Sequence, residues 1–231
     1  MQVAVFHGAP RRGNTYFATK IFMDELAQCG DVSFMEFFMP HDLPKFCAGC
    51  AQCIAGKRQN CPSAEYADVI LQAILTSDAM IFATPHYGAS AMPASMKNLF
   101  DHLDFLVMPI SPRREIFEKK AFVILTGSGS SGAAKQVKAV LKKWGVNRVY
   151  TYSVRLLTDK WSKMPTKKQQ RHDLAIKEFA RAFYKARKKR AHISTIGFYY
   201  VSEMIIKKYV GAGNYPYKYW KESGYFDKRP F

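Results

Sequence analysis

The 231-residue chain contains no apolar run close to the roughly 20 residues that a membrane-spanning helix requires. Its most apolar long stretch, residues 193–210, is interrupted by polar side chains at its centre. The chain opens directly in a strand-like run with no basic leader, so a cytoplasmic protein with no membrane partner is expected. Cysteines are nearly missing outside one segment, since four of the five lie between Cys47 and Cys61. That is too close together to staple a whole fold, and it favours metal ligation over structural disulfides. There is no internal repeat and no low-complexity linker. Acidic residues are scarce near the C-terminus: from Lys160 onward 18 Lys and Arg face 5 Asp and Glu, which leaves 17 and 13 for the rest of the chain. The net charge of +17 therefore belongs mostly to the tail. With no nucleic-acid motif beside it, nucleic acid is not the expected partner.

Apolar residues make up 48% of the chain, enough to bury one sizeable core with extensions. Short apolar runs at Val3–Phe6, Val32–Phe38, Ala79–Thr84, Ala121–Leu125 and Val149–Val154 read as five strands. Between them, helical spacing predicts helices over Tyr16–Gln28 with Gly30 as C-cap, from Ser63 to Thr76, from Pro93 to Leu106, and from Ser130 or Ser131 to Trp144. Strands alternating with helices predict a parallel α/β sheet covered on both faces. A further helix, Met164–Arg190, closes the sheet. The domain is thus expected to span 1–190, with 191–231 as an extension.

The stretch VAVFHGAPRRGNT, residues 3–15, reads as strand, turn and helix start. Gly8 and Gly13 allow close backbone approach, Asn14 and Thr15 offer side-chain donors, and Arg11 and Arg12 supply positive charge. All lie at the positive end of a helix, an arrangement that suits a phosphate monoester or serves simply as a helix cap. Right-handed crossovers place the end of every strand on one edge, so the turns after strands one, three and four can meet there. The third-strand turn holds Pro85, His86, Tyr87 and Gly88. The fourth holds Thr126, Gly127 and Gly129. Tyr87 either stacks on a planar ligand or caps the sheet edge, and the glycines either offer N–H groups to ring heteroatoms or form plain turns.

The ordered motifs GxPRxxGNT, a cysteine-rich loop, PxYG and TG resemble those of the flavodoxin-like NAD(P)H-dependent FMN reductases, in particular their iron-sulfur flavoproteins. The resemblance spans about Met1 to Val154. It implies a doubly wound sheet of order 2-1-3-4-5 and an FMN whose phosphate sits on Arg11, Asn14 and Thr15. The flavin ring would lie against Pro85–Gly88 and Thr126–Gly129. Ala9 stands where relatives usually carry Ser, His86 where they carry an aliphatic residue, and Asp101-His102 replaces Asp-Arg.

Cys47, Cys50, Cys53 and Cys61 follow C-x2-C-x2-C-x7-C, which can wrap a 4Fe-4S cluster; zinc and free thiols are the alternatives. The resemblance implies the cluster. Cys29 is expected as buried filler in a helix. The function expected is an oxidoreductase taking electrons from NAD(P)H or ferredoxin through FMN to a quinone, a flavin or another small acceptor. A pure electron carrier and a flavin-free basic binding module are the alternatives. No side chain is required as acid or base; His86 is the candidate for a hydrogen bond to the flavin. The apolar helix 193–210 and the aromatic end 215–231 are expected to form a homodimer or homotetramer contact.

Overall fold

The computed structural model describes residues 1–86, 91–128, 132–156, 158–186 and 191–231. Strands β1 (Gln2–His7), β2 (Ser33–Phe38), β3 (Ala79–Pro85), β4 (Lys120–Gly127) and β5 (Arg148–Arg155) form one parallel sheet of order β2-β1-β3-β4-β5. Winding reverses at β1, where Val3 stands between Phe34 on one side and Ala79 on the other. The inner strands β3 and β4 are covered on both faces, and their residues Ala79–Thr84 and Ala121–Thr126 are all buried. That double burial is why they read as continuous apolar runs rather than alternating ones.

Helices α1 (Asn14–Gln28), α2 (Ala64–Thr76), α3 (Ala94–His102), α4 (Arg114–Phe117), α5 (Gly132–Trp144) and α6 (Thr166–Lys185) follow in chain order. On one face, α1 buries Ala18, Phe22 and Leu26 every fourth residue against Ile176, Ala180 and Phe183 of α6. Phe22 stacks on Phe122 of β4 at 4.2 Å and meets Phe183 edge-on at 5.7 Å. Truncating such a fully buried ring to alanine costs about 3–5 kcal/mol. The other face is covered by α2, through Ala67, Ile70, Leu71 and Ile74, and by α5, through Ala133, Val137, Leu141 and Trp144.

Two lysines at the start of β4 hold the helix ends to the sheet. The Lys119 ammonium donates to the carbonyls of Leu75 (3.1 Å) and Ser77 at the end of α2. The Lys120 ammonium donates to Phe183, Tyr184 (3.2 Å) and Ala186 (3.0 Å) at the end of α6. Cations are favoured at the negative end of a helix, and here one is used on each face.

Several boundaries differ from the sequence reading. The third helix stops at His102, and a 3-10 turn, Asp104–Leu106, buries Phe105 and Leu106. A continuous α-helix would have put Phe105 on the side opposite Leu103, whereas both are buried. Four-residue α4 was too short to leave a periodic signal. The sixth helix runs from Thr166 to Lys185 rather than from Met164, with Pro165 as its N-cap; Arg187, Lys188, Lys189 and Arg190 lie outside the described residues. So do Ser130 and Ser131, expected to open α5. The cap of α1 is Cys29, half-buried, whose thiol donates to the Glu25 carbonyl at 3.3 Å. Gly30 follows that cap, and a Cβ there would displace the Tyr184 hydroxyl.

Helices α7 (Ile193–Tyr209) and α8 (Tyr215–Glu222) pack on the same chain. Met108 and Phe117, from the segment between α3 and β4, form an apolar cluster with Tyr199, Ile206 and Trp220. The Trp220 indole donates to the Met108 carbonyl at 3.1 Å, and the Tyr219 hydroxyl donates to the Pro112 carbonyl at 2.9 Å. Tyr215 of α8 lies against Gly56 of the cysteine loop, whose φ of +78° and lack of a side chain admit the ring. Among the described residues no helix is long and apolar enough to cross a membrane.

Candidate functional site

The carboxyl edge of the sheet is built from backbone rungs that extend the strand ladders into their turns. Gly8 N–H donates to the Ala83 carbonyl at 2.7 Å, His86 N–H to Thr126 at 2.9 Å, and Leu156 N–H to Gly127 at 2.9 Å. Ser95, in the first turn of α3, donates its hydroxyl to the Gly8 carbonyl at 2.8 Å. A Cβ at Gly8 would meet the Met96 Cε at 3.0 Å and Ala83 O at 3.3 Å, so the first turn lies close on β3 and α3. A cleft of about 870 Å³ opens on this rim.

At one end of the cleft stands the N-terminus of α1. Gly13 is its N-cap and has no side-chain cap; the first intrahelical bond is from Phe17 N–H to the Gly13 carbonyl, at 3.1 Å. Among the described residues, the main-chain N–H groups of Asn14, Thr15 and Tyr16 are therefore the unpaired donors of the first turn. Arg11 and Arg12 are exposed beside them, and neither is paired with a carboxylate among the described residues. The Arg12 guanidinium lies over the Tyr16 ring, 5.4 Å from its centroid. The side chains of Asn14 and Thr15 have other partners. The Asn14 amide donates to the carbonyls of Thr158 (3.1 Å) and Asp159 (3.2 Å), and the Thr15 hydroxyl lies 2.6 Å from that of Thr126.

Pro85, His86, Thr126 and Gly127 line the cleft beyond that end. Gly127 is in contact with His86: a Cβ there would come within 2.6 Å of the His86 Cβ. The His86 Nδ1 is closed off from solvent and has no partner among the described residues. Tyr87, Gly88 and Gly129 lie outside the described residues. Of the expected contacts, the structure thus brings Arg11, Asn14, Thr15, Pro85, His86, Thr126 and Gly127 to one cleft.

The sequence reading missed a third wall. The turn after β5 supplies Leu156, Thr158, Lys160 and Trp161, and α6 supplies Gln169. The signal was available, because the crossover rule that gathers the other turns puts the end of β5 on the same edge. His7, the last residue of β1, was also missed. It is 3% exposed, stacks on Phe38 at 4.3 Å and shares a 2.9 Å hydrogen bond with the Glu36 carboxylate. Burial lowers its proton affinity below that of free imidazole, Glu36 pulling the other way.

The cysteine loop does not assemble the expected metal centre. Among the described residues, no three Cys, His, Asp or Glu side chains are grouped so as to hold a metal ion, and Cys47, Cys50, Cys53 and Cys61 are free thiols. The loop is held by other contacts. Cys47 N–H donates to the Asn98 side chain at 2.9 Å, the Cys47 thiol to the Asp101 carbonyl at 3.7 Å, and Cys53 and Ile54 pack against the core. Burial pushes the Cys53 thiol pKa up, with smaller contributions from Cys47 and Cys61. As arranged, these residues fit neither a 4Fe-4S cluster nor zinc.

Comparison with known proteins agrees with this geometry. A family model described as NADPH-dependent FMN reductase matches residues 1–161. No curated protein sequence matches the chain. Among solved structures, the NAD(P)H:quinone oxidoreductase from Methanothermobacter marburgensis is similar with a TM-score of 0.64 at 15% identity, covering 81% of this chain and 98% of that one. An FMN-dependent NADH-azoreductase from Bacillus anthracis gives 0.61 at 13% identity, covering 80% and 99%. The NAD(P)H:(acceptor) oxidoreductase FerB from Paracoccus denitrificans gives 0.53 at 18%, covering 79% and 94%. At such identities the structures establish the shared fold, while the family model spans most of the chain. With its flavodoxin-like sheet and a cleft at the switch point, the chain belongs to the NADPH-dependent FMN reductase family, as an oxidoreductase working with FMN and NAD(P)H.

Proposed function

We propose that FMN spans the cleft, its phosphate on the N–H groups of Asn14, Thr15 and Tyr16 beside Arg11 and Arg12. Its ring faces the turns of Pro85–Gly88 and Thr126–Gly129. Bound there, FMN would supply the redox chemistry between NAD(P)H and a quinone, a free flavin or another small acceptor. The chain's own residues bind and orient. The unpaired first turn of α1 takes the dianion, the Thr15–Thr126 contact sets the distance between phosphate and ring ends, and His86 stands at the rim as a hydrogen-bonding group. The observation that carries the reading is the meeting of these turns on one cleft, with free donors at one end and the Gly127–His86 contact along its wall. Asn14 serves through its main-chain N–H, its side chain holding the strand-five turn.

The reading assigns no electrons to Cys47, Cys50, Cys53 and Cys61, since among the described residues they form no group that could hold a metal ion. It places the enzyme in the cytoplasm, where its nicotinamide donor is found. The exposed side of α7, with Ile193, Tyr200, Val201 and Met204, supports a homodimer or homotetramer. The basic tail favours a second reading, an electron carrier served by an acidic ferredoxin. One experiment separates the two. Protein loaded with FMN is mixed with NADPH, NADH or reduced ferredoxin, and flavin bleaching is followed with and without a quinone. Bleaching by a nicotinamide and recovery with quinone is expected; bleaching by ferredoxin alone supports the carrier, and failure to hold FMN overturns both.

A further inference from the structure

His7 lines the cleft with Arg12 and Tyr16, and the flavin reading gives it no part. Its ring stacks on Phe38 at 4.3 Å, its Nε2 shares the 2.9 Å hydrogen bond with Glu36, and the Tyr16 ring lies tilted against it at 5.6 Å. Tyr16 is half-buried, and the exposed Arg12 guanidinium rests over the same ring, 5.4 Å from its centroid. Phe38, His7, Tyr16 and Arg12 thus form one row from the outer strand β2 to the first turn of α1. Burial disfavours the imidazolium, the Arg12 charge adds to that effect, and Glu36 opposes both. Around this row, β3 places Ala83 beside His7, Lys20 of α1 is paired with Asp24, and Asp42 of the loop after β2 is paired with His41.

We propose that His7 is a positioning residue for the phosphate end of the cleft: it backs the Tyr16 ring on which Arg12 rests, and it takes a proton from solvent when a phosphate dianion settles on the first turn of α1. An exposed arginine loses rotamer freedom when it is fixed on an anion. A ring already in place beneath the guanidinium lowers that cost. The proton follows from the charges. A dianion beside Arg12 offsets the cation that opposes the imidazolium, which leaves Glu36 as the charge that His7 meets. Protonated His7 then adds a third positive group to Arg11 and Arg12. His7 acts here through Tyr16 and Arg12, and not on the reacting ring. The inference rests on the preceding reading for the place of the phosphate.

The test is to titrate the full chain, freed of flavin, with FMN by calorimetry in buffers of different ionisation heat. Proton uptake appears as a binding enthalpy that changes with the buffer. Above about pH 7 the phosphate is almost wholly dianionic, its second pKa being about 6, and any proton it loses on binding has the opposite sign. Net uptake of up to one proton is expected, and the FMN Kd should fall by about threefold from about pH 8.5 to about pH 7 through that linkage. His7→Gln keeps a donor for Glu36 and cannot be charged; it should abolish the uptake and flatten the pH profile. Glu36→Gln should move the uptake to lower pH. Tyr16→Phe keeps the platform and should bind FMN as the parent does, whereas Tyr16→Leu should weaken it several-fold. If the parent takes up no proton, if His7→Gln takes up as much, or if Tyr16→Leu binds FMN as the parent does, the inference is overturned while the flavin reading stands. Should His7→Gln fail to fold, Glu36→Gln decides, and an unchanged uptake there overturns the inference as well. Failure of the parent to bind FMN overturns both.

Discussion

The hydroxyls of Thr15, on the first turn of α1, and Thr126, at the end of β4, lie 2.6 Å apart. Both residues line the cleft, so the bond ties the first turn of α1 to the end of β4 there. Replacing Thr126 with valine keeps the shape and removes the bond. A hydrogen bond of this kind contributes about 0.5–1.5 kcal/mol to stability, so Thr126→Val should lower the unfolding free energy in urea by about that much, and the FMN Kd, read from quenching of flavin fluorescence, should rise.

Gly127 leaves no room for a side chain beside His86. Gly127→Ala should push the His86 turn off the rim, at about 1–3 kcal/mol of overpacking. Weaker FMN retention and a lower Tm are expected together. An alanine variant that keeps both parental values would mean that the contact does not shape the cleft.

Stability should fall on mild acidification. His7 takes up a proton less readily in the folded chain than free imidazole does, chiefly through burial and with Arg12 adding to the effect, and His172 behaves alike because of burial, Lys168 and Arg171. Below about pH 6.5 the unfolded chain therefore binds more protons than the folded one, and stability is lost as pH drops from there toward the folded-state pKa values. Urea midpoints between about pH 7.5 and 5 should show this slope, and His7→Gln with His172→Gln should flatten it.

The tail is part of the fold it covers. Trp220 is fully buried and bonded to the Met108 carbonyl. Trp220→Ala should destabilise the chain by about 3–5 kcal/mol in urea unfolding. A tail that served only as a subunit contact would instead change the oligomeric state and leave the unfolding of the protomer untouched.

The cysteine loop gives a chemical test. Cys50 is exposed, whereas Cys53 is half-buried with a raised thiol pKa. Brief treatment with iodoacetamide near neutral pH should label Cys50 well before Cys53, as read by peptide mass. Protein prepared without oxygen should contain well under one iron per chain; four irons and uniform protection of Cys47, Cys50, Cys53 and Cys61 would restore the cluster.

The amino-acid sequence by itself determined the strands, their parallel sense and the edge on which the strand-end turns meet. Those features follow from local periodicity and the fixed hand of crossovers, which the unfolded pattern already carries. The motif GAPRRGNT likewise marked the helix start, because the residues that form a helix N-terminus are neighbours along the chain. Tertiary structure alone decided what each side chain faces. The Asn14 amide turned to Thr158 and Asp159, over a hundred residues away, and not to the cleft. The C-x2-C-x2-C-x7-C spacing offered four ligands, yet Asn98, the core and Tyr215 hold that loop in a shape that gathers no metal site among the described residues. Trp161 joined the cleft only because β5 returns to its rim. Spacing along a chain limits which groups can meet, and long-range packing chooses among those partners.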